Sequence, residues 1–268
     1  MRYDDDRDGR SFDHVADPTA RRSAGRLLVV VPAYNEESSI ATVVSQIREC
    51  STPCDVVVID DGSTDATASE ARAAGALVVT LPFNLGIGGA VQTGFLFAQA
   101  NGYEYMAQVD GDGQHSPEAL EVLLRALERD PNLDMACGSR FLTSDYAYRA
   151  STARRLGIRL FAFSLTHALH RRITDPTSGF RVWNRRAIEL FAAGYPHDYP
   201  EVESLLMLHL SGLSFAEVAV PMHRRAGGRS SITSARSGYY MLKVSLALFA
   251  GLLRRPIAVA PARFEPKV

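Results

Sequence analysis

Two aspartates separated by one glycine are the residues best suited to chemistry in this chain. Asp110 and Asp112 follow the apolar run 105–109 and are flanked by Gly111 and Gly113. Alternate residues of a strand point to the same face, so both carboxylates could reach one ion where the strand ends. The glycines let a ligand approach the backbone closely. Hard oxygen ligands suit Mg²⁺ or Mn²⁺, which also bind substrate phosphates. The spacing therefore predicts a metal–diphosphate site.

Two other interpretations of this segment stay open at the level of the residues. Aspartate and glycine both favour turns, so the pair could lie in an ordinary solvated turn. Asp110, Asp112, Gln114 and Glu121 also match ligand positions of an EF-hand loop. However, His115 stands where that loop requires glycine, and a strand rather than a helix leads into it.

The elements around this pair predict a sheet that would place polar residues at one edge. Apolar runs at 27–31, 55–59, 76–81, 105–109 and 134–138 read as strands, with helices between them, the first over 36–48. Such alternation predicts a parallel sheet with helices on both faces, and ligands bind beyond the carboxyl ends of its strands. The polar clusters that follow these strands are 34–36, 60–61, Asn84 and Asp110 with Asp112. We expect them to converge on one crevice.

The second half of the chain has a less regular pattern. Helices are predicted over 151–172, from Arg185 and over 200–210, and strands over 180–183 and 215–222. The apolar segment 239–253 reads as a helix about 22 Å long, shorter than the roughly 30 Å hydrocarbon core of a bilayer. This length favours an interfacial amphipathic helix. A helix that docks on the protein itself is the alternative.

Composition and charge place the chain among ordinary globular proteins. It has 268 residues, of which 46% are hydrophobic and 22% charged. The net charge of −1 hides an acidic first half and a basic second half. A basic half indicates an anionic partner, such as phosphates or an acidic membrane surface, although a solvated basic face would give the same count.

The termini and cysteines bear on the cellular compartment. Three cysteines without paired C-x-x-C motifs indicate neither a zinc site nor a disulfide scaffold, which favours a reducing cytoplasm. The first residues are charged and lack the apolar stretch of a signal peptide. Residues 1–25 are predicted to form a disordered tail.

Taken together, the motifs resemble glycosyltransferase family 2, the inverting enzymes of GT-A fold. The nearest branch is that of the dolichol- or polyprenyl-phosphate mannose and glucose synthases. The matching stretches are VVPAYNEE (30–37), VIDDGSTD (58–65), NLGIGGAVQTGF (84–95), QVDGDGQHSPE (108–118), GSR (138–140), DPTSGFRVW (175–183) and RRAGGRSS (224–231).

This resemblance implies a donor site for a nucleotide sugar. Asp110 and Asp112 would bind Mg²⁺ or Mn²⁺, with Gln114 as a third contact, and the metal would act as a Lewis acid on the diphosphate. Arg225 would close over the diphosphate from a glycine-containing loop, unless that segment is only a basic surface turn. Asp61 would contact the base. The other donor-binding residues implied are Pro32, Ala33, Tyr34, Glu36, Gly89, Gly111 and Ser230.

The resemblance also implies an acceptor site in the basic half. Arg140 and Arg154 would hold an acceptor phosphate, with Arg155 and Arg159 as alternatives to Arg154. Nine arginines but one acid, Asp175, lie between residues 149 and 186. An ionised phosphate needs no strong general base. If the acceptor is a hydroxyl, Asp175 or Glu201 is the candidate base. Asp175 and Ser178 could instead shape the pocket, and Glu201 could cap its helix. The residues expected to carry catalysis are Asp112, Arg140, Asp175 and Arg225.

The expected fold is α/β, a GT-A-type, Rossmann-like, mostly parallel sheet flanked by helices, with a C-terminal amphipathic helix. A catalytic domain would span 26–235, and 236–268 would form a membrane-proximal helix and tail. The expected activity is metal-dependent, inverting transfer of a hexose from a donor of the GDP-mannose or UDP-glucose type to a polyprenyl phosphate of the cell envelope. The expected location is the cytoplasm, peripherally bound to the inner face of the cell membrane. A membrane protein partner is left open, and no nucleic acid is expected.

Two other functions remain as alternatives. A family 2 enzyme could act on a sugar hydroxyl in polysaccharide or glycolipid synthesis. A non-catalytic nucleotide-binding module is the other alternative. Its dinucleotide form fits poorly, because Val91 stands where the glycine fingerprint beginning at Gly86 requires its third glycine.

Overall fold

Seven strands and seven helices make up the part of the chain that the computed structural model describes, residues 27–111, 113–142, 152–197 and 199–221. The strands are β1 (Leu27–Ala33), β2 (Asp55–Asp60), β3 (Leu77–Thr80), β4 (Tyr105–Gln108), β5 (Met135–Ser139), β6 (Arg181–Asn184) and β7 (Phe215–Ala219). The helices are α1 (Ile40–Glu49), α2 (Thr67–Ala73), α3 (Gly86–Ala100), α4 (Ala119–Arg129), α5 (Thr152–Leu169), α6 (Arg185–Ala193) and α7 (Pro200–Leu210).

The strands form one sheet in the order β3-β2-β1-β4-β6-β5-β7. The first four strands run parallel, which confirms the prediction drawn from alternating strands and helices. β6 is antiparallel to both β4 and β5, so those two strands run in the same direction. The loop that precedes β6 therefore arrives at the edge where β4 and β5 end.

Two apolar layers cover the faces of this sheet. β1 is buried along its whole length, and its alternate residues serve both layers: Val30 faces α3 while Val29 and Val31 face α1 and α4. On the α3 side, Phe95, Trp183, Phe191 and Tyr195 form an aromatic cluster with ring centroids about 5–6 Å apart. The sheet is thus packed against a buried aromatic layer on this side.

Helix α1 begins later than predicted, at Ile40 instead of Glu36. The preceding backbone is held by the next loop, because the Glu36 N–H donates to Thr67 Oγ1 at 2.8 Å and the Glu37 N–H to Asp65 at 3.2 Å. These bonds keep the segment before Ile40 out of the helix, at the sheet edge.

Helix α5 ends at Leu169, before the predicted boundary at residue 172. His170 adopts a left-handed conformation with φ 50°, which terminates the helix. No helix among the described residues is both long and apolar enough to cross a bilayer. The predicted disordered tail, 1–25, and the predicted amphipathic helix and tail, 236–268, lie outside those residues.

Candidate functional site

The loops that follow β1 and β2 are bound to each other at the carboxyl edge of the sheet. The Asn35 side chain accepts the Thr64 N–H at 2.9 Å, while the Asn35 N–H donates to Ser63 Oγ at 3.0 Å. Asn35 itself has φ 55°, a conformation that asparagine tolerates better than most residues. This network fixes the backbone on which Tyr34 and Glu36 stand.

Asp61 is buried at the start of α3. Its two carboxylate oxygens accept the N–H groups of Leu85 at 2.7 Å and Gly86 at 2.9 Å. Burial raises the pKa of this carboxyl, and the two backbone hydrogen bonds oppose that rise. Asp61, predicted to contact the base, therefore also ties the β2 edge to the N-terminus of α3.

The remaining predicted donor residues lie around the same edge. Pro32 and Ala33 end β1, and the Ala33 carbonyl accepts the Asp61 N–H at 2.9 Å. The Tyr34 side chain is 47% exposed, which leaves a ring face available to a ligand. Gly89 lies in the first turns of α3. The structure thus brings these residues together at the ends of β1 and β2.

Asp110 lies two residues beyond the end of β4, with its carboxylate framed on three sides. The Gln108 amide donates to Oδ1 at 3.1 Å, and His115 Nε2 lies 3.5 Å from Oδ2. A Cβ added to Gly179 would lie 3.0 and 3.1 Å from the two carboxylate oxygens. The Asp110 side chain is still 36% exposed. A framed and partly exposed carboxylate of this kind suits a hard cation.

Arg140 and Asp175 form a buried ion pair beyond the end of β5. Arg140 Nε and Nη2 donate to the two oxygens of Asp175 at 2.6 and 2.7 Å, and the Arg140 N–H adds a third bond at 3.1 Å. Nη2 also donates to Thr177 Oγ1 at 2.9 Å. Only 5% of the Arg140 side chain and none of the Asp175 side chain is exposed. Arg140, predicted to bind the acceptor phosphate, is therefore held rigidly by Asp175, the candidate base for a hydroxyl acceptor.

Glu217 on β7 supports this pair from behind. Its carboxylate accepts the Asp175 N–H at 2.7 Å and both the N–H and the hydroxyl of Thr174 at 2.8 Å. Burial raises the pKa of Glu217, although these hydrogen bonds oppose the rise. Ser139 Oγ and Thr174 Oγ1 are 2.6 Å apart, which adds a link to β5. The backbone ahead of β6 is thus fixed to both β5 and β7.

The 175–179 loop connects the two halves of the site. At one end Asp175 binds Arg140, and at the other Gly179 covers the Asp110 carboxylate. The loop is held by Arg181, which is fully buried and donates to the carbonyls of Ser178 and Glu201 at 2.8 and 2.6 Å. The side chains of Asp110 and Arg140 consequently both lie against one short loop.

The predicted acceptor residues Ser178 and Glu201 lie near this loop. Ser178 is buried, and its hydroxyl accepts the Phe180 N–H at 3.4 Å. Glu201 is the second residue of α7 and is partly exposed. Burial raises its pKa, Arg181 lowers it, and Asp110 raises it further. The charges of both Arg181 and Asp110 therefore act on the Glu201 carboxyl.

Several predicted residues cannot be placed in the site. Asp112, Arg225, Ser230 and the side chain of Arg154 lie outside the part of the chain that the structure describes. Within that part, no three His, Cys, Asp or Glu side chains are close enough to hold a metal. Gly111 packs beside the Pro32 carbonyl, 3.4 Å from the position of an added Cβ, and Gln114 is partly buried next to Gly113. These assignments stay predictions.

Sequence reasoning missed His115, Arg181 and Glu217 as parts of the site. His115 lies inside the motif 108–118 and Arg181 inside the motif 175–183. Their position within these motifs is the sequence signal that could have found them. Glu217 carries no such signal, because it reaches Thr174 from more than 40 residues away along the chain.

Comparisons with known proteins agree with this architecture. The model of the family described as Glycosyl transferase family 2 matches residues 28–191. Among curated proteins, the chain is 28% identical to polyprenol monophosphomannose synthase of Mycolicibacterium smegmatis, over 85% of this chain and 89% of the relative. It is 29% identical to undecaprenyl-phosphate mannosyltransferase of Micrococcus luteus, over 82% and 93%. It is 31% identical to human dolichyl-phosphate beta-glucosyltransferase, over 73% and 66%.

Solved structures support the fold. Glucosyl-3-phosphoglycerate synthase of Mycobacterium tuberculosis, crystallised with Mn²⁺, UDP and glucosyl-3-phosphoglycerate, superposes with a TM-score of 0.66 at 20% identity. The match covers 86% of this chain and 80% of that one. This likeness confirms the predicted sheet flanked by helices.

Proposed function

Since this chain belongs to glycosyltransferase family 2, we propose that it transfers a hexose from a nucleotide sugar to a polyprenyl phosphate, with inversion at the anomeric carbon. The observation that carries the proposal is the match, over most of the chain, to enzymes named for lipid-phosphate acceptors. The donor is of the GDP-mannose or UDP-glucose type, since the matched relatives include both mannosyl and glucosyl enzymes.

The donor lies along the ends of β1, β2 and β4 in this proposal. The half-exposed Tyr34 ring and the neighbouring Pro32 and Ala33 would hold the nucleoside, and Asp61 would face the base. Asp61 can serve in this way while it caps α3, because each carboxylate oxygen has a second lone pair. Glu36 and Gly89 complete this side, and Arg225 and Ser230 would cover the diphosphate.

The residues present fit a divalent cation. The Asp110 carboxylate is partly exposed, with the Gln108 amide at Oδ1 and the His115 imidazole beside Oδ2. Asp110, Asp112 and Gln114 would hold Mg²⁺ or Mn²⁺, with Gly111 leaving room for the diphosphate. When bound, the cation would neutralise the negative charge that develops on the departing nucleoside diphosphate.

The acceptor phosphate would bind on the side of Arg140. Asp175 and Thr177 fix the guanidinium, so little conformational freedom remains to be lost when the phosphate binds. Arg154 would add a second cation, and Ser178 and Glu201 would line the pocket. Since Gly179 and Asp175 belong to one loop, the acceptor and the donor would lie on neighbouring faces of it.

The reaction then needs one substitution at carbon. An oxygen of the acceptor phosphate forms a bond to the anomeric carbon, and the bond from that carbon to the diphosphate oxygen breaks. The electron pair leaves with the nucleoside diphosphate. An ionised phosphate has no proton to lose, so no general base is required. Asp175, whose two oxygens bind Arg140, acts in this proposal by orienting the Arg140 guanidinium.

A lipid acceptor would place the protein at a membrane. The basic second half of the chain would face the anionic surface, and the segment 236–268 would bind peripherally at the inner face of the cell membrane. This location would give the acceptor phosphate access to Arg140 while the nucleotide sugar arrives from the cytoplasm. A membrane protein partner is compatible with it.

A family 2 enzyme that acts on a sugar hydroxyl is the alternative, and one observation favours it. Burial raises the pKa of Glu201, which would make this carboxyl a better proton acceptor than an ordinary glutamate. If the acceptor is a hydroxyl, Glu201→Gln would abolish transfer. If the acceptor is a phosphate, Glu201→Gln would leave most of the turnover rate unchanged.

An acceptor comparison tests the proposal. The purified protein is given Mn²⁺, a labelled nucleotide sugar and one of three acceptors: a polyprenyl phosphate, the matching polyprenol or a panel of saccharides. We expect label in the lipid only with the polyprenyl phosphate. Transfer to saccharides but not to the lipid phosphate would refute the proposed acceptor.

A further inference from the structure

His115 packs behind the Asp110 carboxylate, where it contacts both the backbone and the side chain of that residue. The Asp110 N–H donates to His115 Nδ1 at 3.1 Å, and Nε2 lies 3.5 Å from Asp110 Oδ2. Only 2% of the His115 side chain is exposed. The imidazole therefore lies behind Asp110, away from the surface that a ligand can reach.

The hydrogen bond from the Asp110 N–H assigns the proton on this imidazole. A backbone N–H can only donate, so Nδ1 must be the acceptor and cannot carry a proton. The neutral ring then carries its proton on Nε2, the nitrogen that faces the Asp110 carboxylate. One ring thus accepts a hydrogen bond from the Asp110 main chain and lies beside the Asp110 carboxylate.

Phe180 holds the imidazole in place. The two rings stack with centroids 4.8 Å apart and planes 16° from parallel. Phe180 is fully buried and directly follows Gly179, whose backbone covers the same carboxylate. The stack therefore joins the Asp110 segment to the 175–179 loop.

Gly179 limits the space around the carboxylate from the 175–179 loop. An added Cβ would lie 3.0 Å from Asp110 Oδ1 and 3.0 Å from Gln108 Nε2, tighter than ordinary contacts. The carboxylate would have to move by a few tenths of an ångström to make room. Its present position therefore depends on the absence of a side chain at residue 179.

We propose that His115 and Gly179 are positioning residues that hold the Asp110 carboxylate in the orientation required for a divalent cation. This inference rests on the proposed function, in which Asp110 is a metal ligand. Groups that orient metal ligands from behind commonly change metal affinity by about 10- to 100-fold when they are removed.

The variant His115→Phe separates the positioning of Asp110 from aromatic packing on Phe180. His115→Phe keeps an aromatic ring to stack on Phe180 but removes both nitrogens. We expect the dissociation constant for Mn²⁺ to rise about tenfold or more, as measured by the electron paramagnetic resonance signal of free Mn²⁺, with GDP or UDP present and without nucleotide. His209→Phe, at an exposed position of α7, is the matched control and should bind Mn²⁺ like the wild type.

The variant Gly179→Ala tests the position of the same carboxylate by placing a methyl group against it. Gly179→Ala should also weaken Mn²⁺ binding, by a smaller factor than His115→Phe. Gly194→Ala is its control, because an added Cβ there meets nothing within 4 Å and the backbone is extended. Circular dichroism and melting temperatures monitor folding, and Gly179→Ala decides the outcome if His115→Phe does not fold.

The possible results separate this inference from the proposed function. Weaker Mn²⁺ binding in both variants, with both controls unchanged, supports the positioning role. Wild-type affinity in folded His115→Phe and Gly179→Ala overturns it while leaving the metal site intact. A wild-type protein that binds no Mn²⁺ under any of these conditions overturns the metal site itself, and the positioning role with it.

Discussion

At the level of single residues, Asp175 fixes the direction of the Arg140 guanidinium. Three hydrogen bonds join the two residues in a buried environment, where the attraction between opposite charges is strong and an unpaired charge is costly. Thr177 adds a fourth contact to the same guanidinium. This geometry holds in one orientation the guanidinium that the proposed function assigns to the acceptor phosphate.

Replacing Asp175 by asparagine should therefore damage both folding and acceptor binding. Asp175→Asn leaves Arg140 buried without its counter-charge, and we expect a loss of about 3–5 kcal/mol in the free energy of unfolding. At temperatures where the variant is folded, the KM for the acceptor should rise more than the KM for the donor. Urea denaturation and steady-state kinetics measure the two effects.

The exposed pair between Arg185 and Glu189 provides the control for this variant. These residues lie one helical turn apart and are about 40% exposed. Glu189→Gln should cost only about 0.5 kcal/mol. Equal losses in Asp175→Asn and Glu189→Gln would contradict the importance assigned to the buried pair.

Glu217 should make stability depend on pH. Burial raises its pKa in the folded protein above that in the unfolded chain, so its contribution is fully present below the unfolded pKa of about 4.5. That contribution is lost as pH rises through the folded pKa. The free energy of unfolding of the wild type relative to Glu217→Gln should therefore fall as pH increases from 4 towards 7. A difference that rises over this interval would contradict the assigned direction.

At the level of elements, the antiparallel strand β6 organises the site. Because it runs against β4 and β5, its preceding loop lies at the edge where those strands end. Arg181, the first residue of β6, pairs in register with Gln108 of β4 and Cys137 of β5. Its side chain then joins the 175–179 loop to α7. One residue thus connects the strand, the loop and the helix.

Lysine should not replace Arg181 in this role. Arg181 donates to Ser178, Glu201 and the Ser204 hydroxyl through separate nitrogens, and a single ammonium cannot reach all three. Arg181→Lys should lower the free energy of unfolding by about 3 kcal/mol, because buried acceptors lose their partners. Hydrogen exchange should accelerate in the 175–179 loop and the first turn of α7. Unchanged exchange in both segments would show that Arg181 does not hold them.

Local patterns in the sequence predicted most elements but not their long-range pairing. The apolar runs of β1, β2 and β4 and the polar residues after them are local signals, so the donor edge could be predicted from sequence. The direction of β6 could not, because a four-residue strand carries no signal for its partner strands. The bond between Arg140 and Asp175 joins residues 35 positions apart and follows from that direction. Sequence therefore identified both residues, although not their pairing.

At the level of the whole molecule, the described sheet would provide one edge for the two proposed substrates, which carry like charge. Donor residues follow β1, β2 and β4, and acceptor residues follow β5 and precede β6. The acidic first half and basic second half agree with this division, since a divalent cation would offset the acids and a phosphate the arginines.

The same charge division predicts binding to anionic lipid. In co-sedimentation with vesicles, the full chain should bind those containing an anionic phospholipid more than purely zwitterionic ones. Binding should weaken as salt is raised, because exposed charges are screened. Equal binding to both kinds of vesicle, independent of salt, would contradict an electrostatic contribution.

The stereochemistry of the lipid product tests the central claim most directly. The purified protein is incubated with Mn²⁺, a nucleotide sugar labelled with ¹³C at the anomeric carbon and a polyprenyl phosphate, and the product is analysed by NMR. We predict a hexose linked through phosphate to the lipid, with the anomeric configuration opposite to that of the donor. A product with retained configuration, or a hexose bound to a hydroxyl instead of the phosphate, would contradict the account.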